Sequence, residues 1–278
     1  MFNPTLEVIV AQARVRPPLE VTFEGVLKRF PGLAEAEAVC LTGSIAAGWG
    51  NVNSDFDVYA FSDKPLDLPV DETSECWPGV DQSGVRWDNW MGEFQESRVD
   101  LTIWTPDTLT TVLKPYLDGE VEFCGMSYAL RDFVYRFSIG IPLKNEDYFR
   151  QMRELLTASS FARARARWSK AATENSLTDV AGQLDAGDGA SARLSAVRAA
   201  AGAAEACLLL QGDLCPTEKW LMRRLERKPE CGITADEYRS VVLDGARPGE
   251  SDADFALRVA RWAQGHIVRL EPEFMTVS

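Results

Sequence analysis

The sequence predicts an α+β chain in which an N-terminal mixed β-sheet flanked by helices is followed by an all-α helical bundle. Three observations lead there. Period-two apolar runs are confined to the stretch between Val39 and Trp104. A break carrying Gly140 and Pro142 falls at 139–143. Beyond it, three- and four-residue apolar spacings replace the alternation almost completely. The expected division is therefore residues 1–143 for the sheet domain and 144–278 for the bundle.

Taken in order, Thr5 to Ala13 and Leu19 to Phe30 have helical spacing, the second entering after Pro17-Pro18, where proline suits a first turn, and ending at Pro31-Gly32. Cys40-Leu41 closes a short apolar run, and Asp55 to Phe61 alternates, so a strand, a loop and a second strand are expected. Residues Ser62 to Ser83 carry six acidic residues and three prolines and read as a long acidic loop rather than a regular element. Val85 to Phe94 and Arg98 to Trp104 have the β-branched and aromatic content of a hairpin. A helical pattern then runs from Thr108 to Phe137. After the break, Tyr148 to Ala172, Ala190 to Leu210, Thr217 to Arg227, Thr234 to Leu243 and Asp252 to Leu270 read as helices. Gly187-Asp188-Gly189, Gly212-Asp213 and Pro248-Gly249 serve as their connectors.

Composition narrows the function classes. With 278 residues and 46% apolar content the chain can bury one large or two modest cores. No run approaches the roughly 18 apolar residues of a membrane span, and the N-terminus M-F-N-P-T-L-E has no basic or apolar leader segment, so a cytoplasmic protein with no membrane partner is expected. Six scattered cysteines and a single His make a Cys/His zinc site a poor expectation; the thiols read as packing residues. The formal charge is −13, and residues 1–150 hold 12 basic against 24 acidic residues. A surface of that sign binds long nucleic acid poorly and favours metal ions and cationic partners.

The chemistry concentrates in C-L-T-G-S-I-A-A-G-W-G-N-V-N-S-D-F-D-V-Y-A-F, residues 40 to 61. A turn rich in glycine lets backbone N–H groups approach an anion closely. Alternation in the following strand puts Asp55 and Asp57 on one face and Phe56 and Val58 on the other. Two carboxylates side by side repel each other unless a cation sits between them, and hard oxygen ligands suit Mg²⁺ with phosphate in its shell. The bland alternative is a hairpin with two solvated aspartates; the Gly43-Ser44 turn just upstream weighs against it.

At these residues the chain resembles the nucleotidyltransferase superfamily that includes DNA polymerase β and the aminoglycoside nucleotidyltransferases. Gly43-Ser44, ten intervening residues, then Asp55-Phe56-Asp57 match the pattern in type and order. The resemblance implies a third carboxylate on a later strand, and R-V-D-L-T-I-W supplies Asp100. Asp88, between Trp87 and Trp90, competes for that position, but the apolar flanks of Asp100 favour Asp100. The resemblance further implies two Mg²⁺ ions held by Asp55, Asp57 and Asp100, with Asp100 helping to deprotonate the attacking hydroxyl. Gly43 and Ser44 would cradle the triphosphate of an NTP, expected to be ATP. The helical bundle would close over the nucleotide.

The segment Pro216-Thr217-Glu218-Lys219-Trp220-Leu221 resembles a P-x-x-K-W-L stretch of nucleotidyltransferases with helical C-terminal domains, whose lysine reaches the triphosphate; that role falls to Lys219, against a surface lysine beside a packed Trp220. Arg163, Arg165, Arg167 and Lys170 splay round a helix and read as a solvated face. His266 reads as a packing or surface residue, and Trp87, Trp90 and Trp104 as sheet packing rather than a base-stacking platform. The expected activity is NMP transfer to a hydroxyl of a small cationic acceptor such as an aminoglycoside-like compound. A partner protein's hydroxyl, as in nucleotidyltransferase antitoxins, and a non-catalytic nucleotide-binding module remain open beside it.

Overall fold

Apolar runs without a free face make buried strands, because a sheet covered on both sides has no water to address. In the computed structural model, which describes residues 22–51, 54–69, 71, 72, 74–94 and 97–275, that is the character of Ala38–Thr42 (β1) and Phe56–Phe61 (β2), which run antiparallel to each other. Arg86–Phe94 (β4) and Ser97–Trp104 (β5) form the expected hairpin. The helix Phe23–Arg29 (α1) starts at Thr22, whose hydroxyl accepts from the Gly25 amide. A 3₁₀ turn at Pro31–Ala34 follows it. The helix expected at Thr5 to Ala13, and the start of the one expected from Leu19, lie outside the described residues.

Two expectations fail in this half. Within Ser62 to Ser83, Glu75–Val80 is a strand (β3) despite Pro78. It lies at the sheet edge, where proline costs no interior ladder bond, and its exposure hides the alternation that marks a buried strand. Likewise Ile141–Lys144 (β6), read as a simple break, is a strand paired antiparallel with β1. The six strands run in the order β3-β4-β5-β2-β1-β6, and among them the pair β2–β5 is parallel.

The chain divides into two compact units, one of residues 1–114 and 127–158, the other of 115–126 and 159–278. The helix Glu146–Ala158 (α5) thus belongs to the first unit, beyond the expected 143/144 boundary, and β6 straddles that boundary. The long helical pattern from Thr108 is two helices, Thr108–Leu117 (α3) and Tyr128–Ile139 (α4), the first containing Pro115 and the second capped by Ser127. On one face of the sheet Phe56, Val58, Val99, Leu101 and Trp90 pack with Val26, Phe30 and Leu33. The other face is aromatic: Phe61 meets Phe137 at 5.6 Å and Tyr148 at 5.2 Å, and Trp104 meets Phe133 at 4.3 Å.

In the second unit the helices are Phe161–Asp185 (α6), Gly189–Leu210 (α7), Leu221–Arg227 (α8), Ala235–Tyr238 (α9), Asp252–Arg269 (α10) and Glu271–Met275 (α11). Alanines of α7 at 192, 196, 200 and 204 are buried in its main core with Phe255 and Val259 of α10. Small side chains let helix axes come close, and a Cβ at Gly202 would stand 2.4 Å from Thr173 Oγ1 of α6. The expected solvated face around Arg163 is corrected at Arg165, which is 2% exposed and donates to Glu205 at 2.7 Å and to the Leu214 carbonyl at 2.6 Å.

Candidate active site

The site begins where β1 ends. Thr42 is buried and its hydroxyl donates to the Arg136 carbonyl of α4 at 2.5 Å, which ties the strand end to that helix. The next residues, Gly43–Ala46, form a single helical turn (α2). Gly43 has φ of +70°, and a Cβ there would stand 1.8 Å from Asp57 Oδ2. Only glycine satisfies both the backbone and the carboxylate beside it. The first amides of a helical turn have no intrahelical acceptor, which leaves those of Gly43 and Ser44 without one inside the turn.

Register assembles the acidic row. In the parallel pair β2–β5, Asp57 stands opposite Asp100, and across β1–β2 Thr42 stands opposite Asp57. Directly paired residues share a face of the sheet with Cβ atoms roughly 5 Å apart. Asp55, two residues before Asp57, precedes β2 and is partly exposed. The competing Asp88 pairs with Ile103, on the opposite face of the sheet from Asp100. Tertiary pairing therefore brings Asp57 and Asp100 together, with Gly43 against Asp57 and Asp55 near enough to influence its charge. Lys219 belongs to the second unit, in a 3₁₀ turn capped by Thr217, with Nζ 4.8 Å from the Trp220 ring centre.

Three further residues complete the electrostatics, and sequence reasoning missed them. Arg98 grips Asp100 through two parallel bonds, Nε to Oδ1 at 2.8 Å and Nη2 to Oδ2 at 2.7 Å, and its Nε lies 3.8 Å from Asp55 Oδ2. Arg136 of α4 donates to Asp57 through Nη1 and to Asp132 through Nε, the latter at 2.6 Å. Arg98 had a readable signal, since it stands two residues before Asp100 and a strand puts both on one face. Arg136 had none, being 79 residues from Asp57.

Burial raises the Asp57 pKa above the usual carboxylate range, Asp100 and Asp55 add to that, and Arg136 opposes it. Burial works against the Arg136 charge, but Tyr59, Asp57 and Asp132 outweigh it and leave the guanidinium firmly protonated.

Carboxylate oxygens in adjacent strand positions are the donor set that suits Mg²⁺. Among the described residues no group of three His, Cys, Asp or Glu side chains is gathered as metal ligands. Asp100 has both oxygens on Arg98, and Asp57 has Oδ1 on Arg136. By donor type and by the register that pairs them, these carboxylates fit such an ion. A cavity of about 200 Å³ opens on this face, lined by Asp57, Asp100, Arg98, Asp132 and Arg136 among others.

No protein-family model matches the chain, and no curated protein matches it. Among solved structures, the chain is similar to a nucleotidyltransferase-like protein from Exiguobacterium sibiricum 255-15, with a TM-score of 0.48 and 11% identity over 90% of this chain and 74% of that one.

Proposed function

We propose that the chain is a Mg²⁺-dependent nucleotidyltransferase that moves an NMP, expected to be AMP, from an NTP to a hydroxyl of a small cationic acceptor such as an aminoglycoside-like compound. The observation that carries the reading is the pairing of Asp57 with Asp100 beside the Gly43-Ser44 turn. In the reaction the acceptor oxygen forms a bond to the α-phosphorus while the bond to the bridging oxygen breaks, and pyrophosphate leaves with that electron pair.

Asp55, Asp57 and Asp100 would hold Mg²⁺, which when bound offsets the charge of the triphosphate and makes the attacking hydroxyl more acidic. Asp100, on β5 beside Asp57 of β2, would receive the hydroxyl proton. Amides at Gly43 and Ser44 would donate to the β- and γ-phosphates. Arg98 and Arg136, once exchanged from the carboxylates, have donors aimed at the same region, where charge-assisted bonds to phosphate are strong.

A second reading, a nucleotide-binding module without turnover, has in its favour that both paired carboxylates are already engaged by arginine. One experiment separates them. Labelled NTPs, Mg²⁺ and a panel of hydroxyl compounds and proteins are mixed with the chain, and pyrophosphate is measured. Release that depends on one acceptor supports transfer; NTP binding with no release from any acceptor supports the module. In the active case Asp57→Asn is expected to lower kcat by about 100-fold or more with the melting temperature retained, because charge stabilisation at the transition state is the dominant catalytic contribution. Full activity in that variant would refute the assignment.

A further inference from the structure

The second unit has a cavity of its own, about 520 Å³, which shares no residue with the one beside the acidic row. One face of α6 lines it: Arg167, Lys170, Ala171 and Glu174 recur there at three- and four-residue spacing. Glu271 and Phe274, a turn apart on α11, stand on another side. Glu122 and Phe123 complete the lining, from the segment 115–126 that packs with the second unit. Both cations of α6 have turned their heads to the protein. Arg167 Nη2 donates to the Phe274 carbonyl at 3.0 Å, and Lys170 Nζ pairs with Glu174 one turn on. Their aliphatic stems are left, with the Ala171 methyl, to meet an apolar occupant.

Three features set the chemistry that this cavity suits. Phe123 is 46% exposed, so a large apolar ring is held at the cavity rather than in the core. Three carboxylates, of Glu122, Glu174 and Glu271, outnumber the two cations, and neither Glu122 nor Glu271 has a hydrogen-bond or ion-pair partner among the described residues. The aromatic faces favour the same sign of ligand, as the Arg167 guanidinium 6.0 Å from the Phe274 ring centre shows. Among the described residues no Ser, Thr, Asn, Gln or Tyr side chain lines the cavity, so a polyhydroxylated ligand would give up its bonds to water without replacement.

We infer that this cavity is a binding site for a lipophilic amine, a ligand with one ammonium group on an aromatic or alkyl body. The body packs against the Phe123 and Phe274 rings and the stems of α6, and the ammonium group meets the Glu122 and Glu271 carboxylates. The volume lies within the roughly 300–1,000 Å³ of sites that enclose drug-sized ligands. An anion of the same shape would face three carboxylates and find Arg167 and Lys170 already engaged. Such a site would exist whether or not the first unit transfers nucleotides.

The test is calorimetry on the intact chain with 4-phenylbutylamine, with its matched anion 4-phenylbutyrate, and with 2-deoxystreptamine, an amine that lacks an apolar body. The expected result is that 4-phenylbutylamine binds and that each of the other two binds at least about 10-fold more weakly, the worth of one hydrogen bond to a charged group. Phe123→Ala, and separately the double variant Glu122→Gln with Glu271→Gln, should each weaken 4-phenylbutylamine by about 10-fold. All three side chains are exposed, so these variants keep the melting temperature and a loss of binding is not a loss of fold. Asp57→Asn should leave the affinity for 4-phenylbutylamine unchanged. No binding of that amine overturns the inference, as does equal binding of 4-phenylbutyrate or 2-deoxystreptamine, or an unchanged affinity in either lining variant. Loss of binding in Asp57→Asn also overturns it, because the amine then sits at the acidic row.

Discussion

At Gly43 a positive φ and the nearness of the Asp57 carboxylate act on one atom, since a Cβ would collide with Oδ2. Gly43→Ala is expected to cost at least about 1 kcal/mol from backbone strain alone and to push Asp57 off the row. Thermal unfolding should show the first effect, and loss of Mn²⁺ or NTP binding by calorimetry the second. A variant with wild-type melting and binding would mean that the turn relaxes freely. The arginines extend the same residue-scale lesson. Arg98 was legible, because period two in a strand is local, whereas Arg136 reaches Asp57 only through the packing of α4 over the sheet. The Asp55–Asp57 pair was legible for the reason that made Arg98 legible.

Among the elements, α6 and α7 show why a run of arginines cannot be sorted by spacing alone. Alternate positions on a helix fall about 200° apart, so Arg163 and Arg167 diverge from Arg165, and Arg165 is the one turned toward α7. Glu205→Leu would strand a buried guanidinium, at an expected cost of about 2–3 kcal/mol given that Glu205 keeps some access to water. The urea midpoint should fall with the slope unchanged; no fall would mean that the Leu214 carbonyl and its surroundings suffice for Arg165. Edge strands were the other blind spot. β3 is exposed nearly throughout and contains Pro78, so neither alternation nor composition marks it, yet it carries Trp77 into the site cavity.

On the scale of the whole molecule, the single His offers a clean probe of pH dependence. His266 of α10 is buried against Trp262, 4.5 Å between ring centres, and lies 3.4 Å from Glu237 Oε1. Burial lowers its pKa, Glu237 opposes that, and Arg269 adds to it. Unfolded, the imidazole takes its proton near pH 6.5; folded, it resists. The unfolded chain therefore binds more protons below pH 6.5, and stability falls as pH is lowered through that value, by at most about 1.4 kcal/mol per unit for one group. His266→Asn should remove that share of the slope in melting temperature between pH 7.5 and 5.5, and an unaltered slope would assign it to other groups. Lys219→Ala belongs to this scale too, because Lys219 lies in the second unit and the carboxylates in the first. If it reaches the triphosphate, the variant raises KM for NTP with kcat kept; an unchanged KM leaves Lys219 as the partner of Trp220.

By itself the sequence determined the α+β order, most strands and helices, and the composition of the acidic row with its glycine turn. Those follow from periodicity and turn chemistry, which act over a few neighbouring residues. Only the tertiary structure decided that β2 and β5 run parallel with Asp57 facing Asp100, that Asp88 falls on the other face, and that two arginines hold the carboxylates. It alone also gathered Trp77, Trp87, Trp90 and Trp104 round the cavity beside them. Strand order and register are settled by which distant apolar faces bury one another, and no local pattern in the chain encodes that choice.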